Sequence, residues 1–274
     1  MAGELERARK TLRELGKSLK SLPRDPAPRR IHRLRTVTRR VKALAEALPA
    51  VNGKKSRRLL KLIEPVRKAA GAVRDTDVML ANAHKLARYA PGASLNRLIV
   101  HLLALREQHA VLLVHALNGK LETLQDDLKT YARFVRTALK PDKNSAAESD
   151  GLPHESIHDA TKEILRELGA APPLDRQNLH AFRIRVKELR YLLLLSATAD
   201  PRLIDALTNA QRAIGDWHDW LQLEVTAREV LLLKDDAPLL TRIAETVERR
   251  YTRALAAANS LRAKYLLAPR TFGA

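Results

Sequence analysis

The chain has 274 residues, of which 45% are hydrophobic and 30% are charged, a balance that predicts a folded protein. Its 50 Lys and Arg residues outnumber 31 acidic residues, and the resulting formal charge of +19 predicts a polyanionic partner such as nucleic acid, anionic lipid or another polyanion. The absence of cysteine excludes disulfides and cysteine-based zinc sites, and an aromatic content of 4% argues against a β-rich fold and against base-stacking platforms.

Almost the whole chain has helical periodicity. Apolar residues recur at spacings of three and four, as in the two series Ile31, Leu34, Val37, Val41, Leu44, Leu48 and Leu179, Phe182, Val186, Leu189, Leu193. Pro and Gly fall between such segments, for example at Pro91-Gly92, Asn118-Gly119 and Asp200-Pro201. The pattern predicts an all-α fold of about ten helices.

One polar stretch without periodicity, KPDKNSAAESDGLP at 140–153, divides the chain almost in two. Three motifs occur in the same order on both sides of it: TLRELG and ILRELG, HRLRTVTRRVK and HAFRIRVKELR, GAVRD and GDWHD. We therefore predict a first helical half at 1–140, a linker at 141–153 and a second half at 154–268, related as a duplicated helical bundle with a pseudo-two-fold axis.

The second motif pair places four basic residues at offsets 0, 3, 7 and 10 in each half. At 100° per residue these positions span an arc of about 80° and rise about 15 Å along the helix. No acidic residue occupies any of the eight positions, which are His32, Arg35, Arg39, Lys42 and His180, Arg183, Lys187, Arg190. We call these two series the first and the second basic ridge.

An ordinary solvated helix face with snorkelling side chains is one interpretation of each ridge. Such faces usually mix charges of both signs, however, because like charges four residues apart cost a few tenths of a kcal/mol. A bound anion would offset that cost, and a linear phosphate chain suits a row of Arg and Lys groups.

Further residues near the ridges are candidates for the same role or for a supporting one. The additional basic candidates are Arg58 and Lys61 in the first half and Arg202 and Arg212 in the second. Asp75 and Asp219 follow the glycines of the third motif pair and either orient the basic side chains or cap helices. Trp217 and Trp220 are expected to be core residues.

Other patterns in the sequence carry weaker predictions. HESIH at 154–158 fits the H-E-x-x-H zinc pattern, but it adjoins the predicted linker and has no evident third ligand. His84, His101, His109 and His115 lie in Leu- and Ala-rich segments and are expected to be partly buried structural residues. We expect no catalytic residue, metal or cofactor.

The motifs from His32 and His180, together with the G-x-x-[RH]-D pair, resemble the CHAD family, named for a conserved histidine α-helical domain. The resemblance covers about residues 3–267 and implies two pseudo-two-fold-related four-helix bundles with a basic groove or pore that binds inorganic polyphosphate. It assigns binding roles to His32, Arg35, Arg39, Arg40, Lys42, His180, Arg183, Lys187 and Arg190. Glu188 departs from the family pattern, which commonly has a basic residue there.

The resemblance also implies a stand-alone binding domain that associates with polyphosphate granules, since the E-x-E-x-K strand of a fused triphosphate-tunnel domain is absent. A nucleic-acid-binding protein is the alternative function, and a metal-dependent phosphohydrolase that uses HESIH or the Asp clusters is a further one. The N-terminal MAGELERARK lacks the apolar core of a secretion signal, and the apolar runs look too short for a membrane span. We therefore expect a cytoplasmic protein without membrane contact.

Overall fold

The structure is a computed structural model that describes residues 2–22, 26–47, 53–138, 153–194 and 199–267. All regular elements of these residues are helical, which confirms the predicted all-α fold. The nine α-helices of the described residues are α1 (Ala2–Ser21), α2 (Pro28–Ala47), α3 (Lys54–Leu86), α4 (Ala93–Leu117), α5 (Leu121–Ala138), α6 (Pro153–Ala170), α7 (Leu179–Leu193), α8 (Pro201–Val230) and α9 (Ala237–Leu261). A 3-10 helix (Lys234–Asp236) precedes α9, and a π-helical turn (Arg262–Leu266) follows it.

The helix ends follow the local chemistry of the sequence. The side chain of Asp200 accepts a hydrogen bond from the backbone N–H of Arg202, and Pro201 occupies the first turn, so α8 begins where the sequence supplies a cap. Gly119 has a φ of +71°, which glycine adopts without strain, and the chain can therefore turn between α4 and α5.

The described residues form two compact units, each with its own core. The first unit consists of the described parts of Met1–Asp77 and Leu103–Ala160, and in it α1 packs against α2 and α5. The second consists of Val78–Leu102, Thr161–Leu194 and the described part of Thr198–Ala274, and in it α8 packs against α7 and α9. Helices α3, α4 and α6 each contribute residues to both units.

The predicted linker at 141–153 lies outside the described residues except for Pro153. The division of the chain into a first half at 1–140 and a second at 154–268, like the internal duplication, therefore stays a prediction.

The core of the second unit contains both tryptophans of the chain. Trp217 is 2% exposed and Trp220 is 3% exposed, which confirms that they are packing residues. The Trp217 ring lies 5.6 Å from the Tyr251 ring, centroid to centroid, so α8 and α9 share an aromatic contact.

Helix α4 differs from the expectation that the apolar runs are short. By length and composition Ala93–Leu117 could cross a membrane, with a mean hydropathy of 1.2 over 18 residues. A single helix of this kind is weak evidence for a membrane span, because core helices of soluble proteins have the same composition.

The predicted burial of four histidines is correct for one of them. His109 is half-buried, and its Nδ1 lies 2.9 Å from the hydroxyl of Thr76. His84, His101 and His115 are exposed, so that prediction is wrong for them. Apolar sequence neighbours do not imply burial where a helix has apolar residues on its outer face.

Candidate anion-binding site

The first basic ridge lies on α2, beside the face that α2 buries. Four apolar residues of α2 are at most 2% exposed: Ile31, Leu34, Val37 and Val41. His32 and Lys42 are exposed, while Arg35 and Arg39 are half-buried between the apolar face and solvent. The helical spacing therefore places all four ridge residues on the accessible side of this helix, as expected.

Arg35 is held against helix α3. Its guanidinium donates a hydrogen bond to the backbone carbonyl of Gly71 (3.3 Å) and forms a short ion pair with the carboxylate of Asp75. The Arg35 side chain is only 19% exposed, whereas that of Asp75 is 51% exposed. Asp75 thus contacts a ridge residue, as its predicted orienting role requires.

His32 lies in a positive electrostatic environment. Partial burial, followed by the charges of Arg74, Arg35 and Arg39, lowers the pKa of its imidazole below the usual 6.5. Arg74 was not among the predicted binding residues, although its place three residues after Gly71 in the GAVRD motif was a usable signal.

The second basic ridge lies on α7, and it is less open than the first. His180, Arg183 and Arg190 are half-buried, but Lys187 is only 8% exposed. The Nε of Arg190 donates a hydrogen bond to the side-chain oxygen of Gln211 (2.9 Å), and its guanidinium carbon lies 5.0 Å from the centre of the Tyr191 ring. Helical spacing predicts that the four residues share one side of α7, but it could not show how closely neighbouring elements pack over that side.

Arg183 lies directly against the backbone of α8 at Gly215. A Cβ atom at residue 215 would lie 2.7 Å from Nη2 and 3.2 Å from Nε of Arg183. Glycine therefore leaves the space that the guanidinium occupies. In the first unit a Cβ at Gly71 would meet no atom within 4 Å, so only Gly215 is required for this reason.

His180 stacks obliquely on His218. The ring centroids are 4.3 Å apart and the planes are inclined at 40°. Partial burial, followed by the charges of Arg183 and Lys187, lowers the pKa of His180. His218 stands three residues after Gly215, as Arg74 does after Gly71, and sequence reasoning missed its contact with the ridge as well.

The remaining predicted basic residues differ in their exposure and in whether an acidic residue compensates their charge. Arg40 approaches Glu14 of α1 (3.6 Å), and Arg58 forms an ion pair with Asp127 of α5 (2.8 Å). These contacts compensate part of the charge of both arginines. The other candidates, Lys61, Arg202 and Arg212, are exposed, and Asp219 is half-buried.

Glu188, the position that departs from the family pattern, has a local partner. Its carboxylate accepts a hydrogen bond from Arg185 (2.7 Å), which also forms a short ion pair with Glu167 of α6. Glu188 therefore compensates Arg185, which is not a ridge residue.

The HESIH segment can be judged only in part, because His158 is its one residue whose side chain is described, and that side chain is exposed. Across the described residues, no group of three or more His, Asp or Glu side chains is arranged to hold a metal ion.

Comparison with known proteins gives the family and supports the fold. The CHAD domain family model matches residues 6–228. The CHAD domain from the plant Ricinus communis superposes with a TM-score of 0.72 at 16% identity, covering 96% of this chain and 91% of that one. PptA from Streptomyces chartreusis superposes with a TM-score of 0.70 at 13% identity, covering 96% and 99%. A search of curated proteins found no match. Since the family model spans most of the sequence, this chain belongs to the CHAD domain family.

Proposed function

We propose that this protein binds inorganic polyphosphate through its two basic ridges and that it is a binding module rather than an enzyme. The observation that carries the proposal is the recurrence of one local arrangement: in each unit the arginine three residues after the ridge histidine reaches a glycine of a longer helix. Belonging to the CHAD domain family supports it, since the family is reported to bind polyphosphate.

The electrostatics of the two ridges favour an anion. Neighbouring cations help to lower the pKa of both His32 and His180, which means that each imidazole lies in a positive potential. A phosphate chain would relieve this repulsion and could accept hydrogen bonds from guanidinium groups in pairs. Because the ligand is a repeating anion, binding depends on charge and spacing more than on shape.

Nucleic acid is the competing ligand class, because it carries the same charge. Base stacking needs exposed aromatic rings, but both tryptophans are buried in the core, and the exposed rings of Tyr89 and Phe134 belong to neither ridge helix. We therefore expect any nucleic-acid binding to proceed through the phosphates alone, and phosphate polymer to displace it.

The test is a titration with long-chain polyphosphate and with single- and double-stranded DNA, each at low and at physiological salt. Affinity should decline steeply with salt because each neutralised phosphate releases counterion. The double variant Arg35→Glu/Arg183→Glu should lose at least about tenfold in affinity, since hydrogen bonds to charged groups contribute about 1.5–3 kcal/mol each. Two matched reversals elsewhere, Lys129→Glu and Lys234→Glu, control for the change in net charge.

Three outcomes would contradict the proposal or a part of it. Equal losses in the ridge variant and in the control variant would mean that only net charge matters. DNA binding as tight as polyphosphate binding at physiological salt would make the ridges a general electrostatic surface. Phosphate release from polyphosphate in the presence of divalent metal ions would contradict the non-enzymatic part.

The proposal extends to location: the protein should be cytoplasmic and should collect on polyphosphate granules. A fluorescent fusion should co-localise with granules, and the Arg35→Glu/Arg183→Glu variant should become diffuse.

A further inference from the structure

The outer face of α4 in the first unit is unusually apolar. Leu103, Val111 and Leu112 are 51%, 60% and 58% exposed, and Val114 is 39% exposed. Single exposed apolar side chains are ordinary, but a contiguous group on one helix indicates an interaction surface. The exposed residues of this stretch, which we call the α4 face, are Leu103, Ala104, Glu107, Gln108, Val111, Leu112 and Val114. At 100° per residue they occupy about half of the helix circumference.

The α4 face has no Lys or Arg side chain in a chain whose formal charge is +19, and its nearest exposed basic neighbours on α4 are the histidines His101 and His115. Arg106 is the basic residue of this stretch, and it is turned to the interior, where it donates hydrogen bonds to Asp77 (2.8 Å) and to the carbonyl of Pro26 (3.3 Å). Two copies of a strongly basic protein repel one another. The α4 face therefore contributes little to that repulsion.

The order of residues along the α4 face is nearly the same in both directions. From the midpoint between Glu107 and Gln108, the exposed positions are first this polar pair, then Ala104 and Val111, then Leu103 and Leu112. A two-fold axis through that midpoint, with the helices antiparallel, brings Ala104 opposite Val111 of the second copy and places Leu103 at the same height as Leu112 of the second copy. The surface is then complementary to itself, as an isologous interface requires.

A lipid surface fits these observations less well. Glu107 and Gln108 lie at the centre of the α4 face, where insertion into hydrocarbon would bury a carboxylate without a partner. The opposite side of α4 belongs to the protein core, since Leu113 is 0% exposed and Leu117 is 2% exposed. This helix therefore cannot be surrounded by lipid while the first unit is folded.

We propose that two copies of this chain associate through antiparallel packing of their α4 faces. Ala104 of each copy packs on Val111 of the other, and the small alanine lets the helices approach closely. Glu107 and Gln108 lie about 50° to either side of the line between the two helices, so their side chains stay at the solvent-facing edges of the pair. One helix pair buries less than the roughly 1,200 Å² of a stable interface, so the dissociation constant should be micromolar or weaker.

Cross-linking tests the predicted register directly, and the natural chain has no cysteine to interfere. In the double variant Ala104→Cys/Val111→Cys, the two thiols of one copy are separated by seven residues, about 10.5 Å along the helix, which is too far for a disulfide. Mild oxidation should therefore give a covalent dimer. The matched single variant Ala104→Cys should stay monomeric, because its two thiols lie two turns apart in the antiparallel pair.

The unmodified chain gives the second measurement, by sedimentation at rising concentration. We expect the mass to move from 30.7 kDa towards twice that value, and to move further at higher salt, because salt screens the repulsion between copies. Val111→Glu should abolish the shift, while the matched Val225→Glu, at a residue 48% exposed on α8, should not.

Three results would overturn the proposal: a natural chain that stays at 30.7 kDa at high concentration and salt, covalent dimers from Ala104→Cys alone, or neutral lipid vesicles that bind the natural chain but not Val111→Glu. The salt dependence separates this inference from the proposed function, because polyphosphate binding weakens with salt and dimerisation strengthens.

Discussion

Replacing Gly215 with alanine perturbs one arginine of the second ridge without removing it. The new Cβ would lie 2.7 Å from Nη2 of Arg183, well inside contact distance. Both atoms are at the end of the flexible Arg183 side chain, so we expect the guanidinium to move and the helix backbones to stay in position. If Arg183 holds a phosphate, the variant should lose up to one charge-assisted contact of about 1.5–3 kcal/mol, or roughly tenfold in affinity for polyphosphate.

Gly71→Ala is the matched control, because residue 71 occupies the corresponding motif position and a Cβ there meets nothing within 4 Å. Both glycines lie inside helices, where alanine is favoured by about 0.5–1 kcal/mol. Gly71→Ala should therefore be slightly more stable than the natural chain and should bind normally. Gly215→Ala should unfold at a similar or higher temperature than the natural chain, so its loss of binding cannot be ascribed to unfolding.

The assay is a polyphosphate titration at several salt concentrations, combined with thermal denaturation of each variant. One lost phosphate contact should reduce the slope of log affinity against log salt by about 0.7 in Gly215→Ala and leave it unchanged in Gly71→Ala. Equal affinities for the two variants would refute the reasoning, because the position of Arg183 against α8 would then be irrelevant to binding.

The lowered pKa values of His32 and His180 predict that a fall in pH lowers the stability of the free protein and raises its affinity for polyphosphate. Because the folded state favours the neutral imidazoles, the stability of the free protein should decline as the pH falls below about 6.5. Polyphosphate favours the charged imidazoles, so it should bind more tightly from pH 8 towards 6 and below. Melting temperatures with and without polyphosphate check both effects, and a flat affinity over that range would remove the histidines from binding. Asp75→Asn should weaken polyphosphate binding although it removes a negative charge, because Arg35 loses the partner that positions it. The change in stability should stay within about 1 kcal/mol, because the Asp75 side chain is 51% exposed. Tighter binding in a titration of this variant would show instead that Asp75 competes with phosphate for Arg35.

Helical periodicity was sufficient to predict the fold class, because the apolar spacing on α2 and α7 directly determines which side of each helix is buried. It also gave the side on which the ridges lie. It could not predict how far each ridge side chain is buried, since the 8% exposure of Lys187 depends on how closely neighbouring elements cover that side of α7. Nor could it reveal that Asp127, distant in sequence, would pair with Arg58.

The same limit explains the two site residues that the sequence analysis missed. Arg74 and His218 lie on α3 and α8, one turn beyond the glycines against which the ridge arginines lie. Their relation to His32 and His180 becomes visible only when two helices are placed side by side, although the paired GAVRD and GDWHD motifs already aligned them with one another.

The two ridges therefore have the same residue spacing but different neighbouring side chains. Beside its ridge histidine, the first unit has Arg74, a permanent cation that can hold phosphate oxygens at any physiological pH. The second unit has His218 in that place, stacked on His180, together with a ridge lysine that is nearly buried. We therefore expect a phosphate chain to bind the ridge of the first unit more tightly than the ridge of the second at neutral pH.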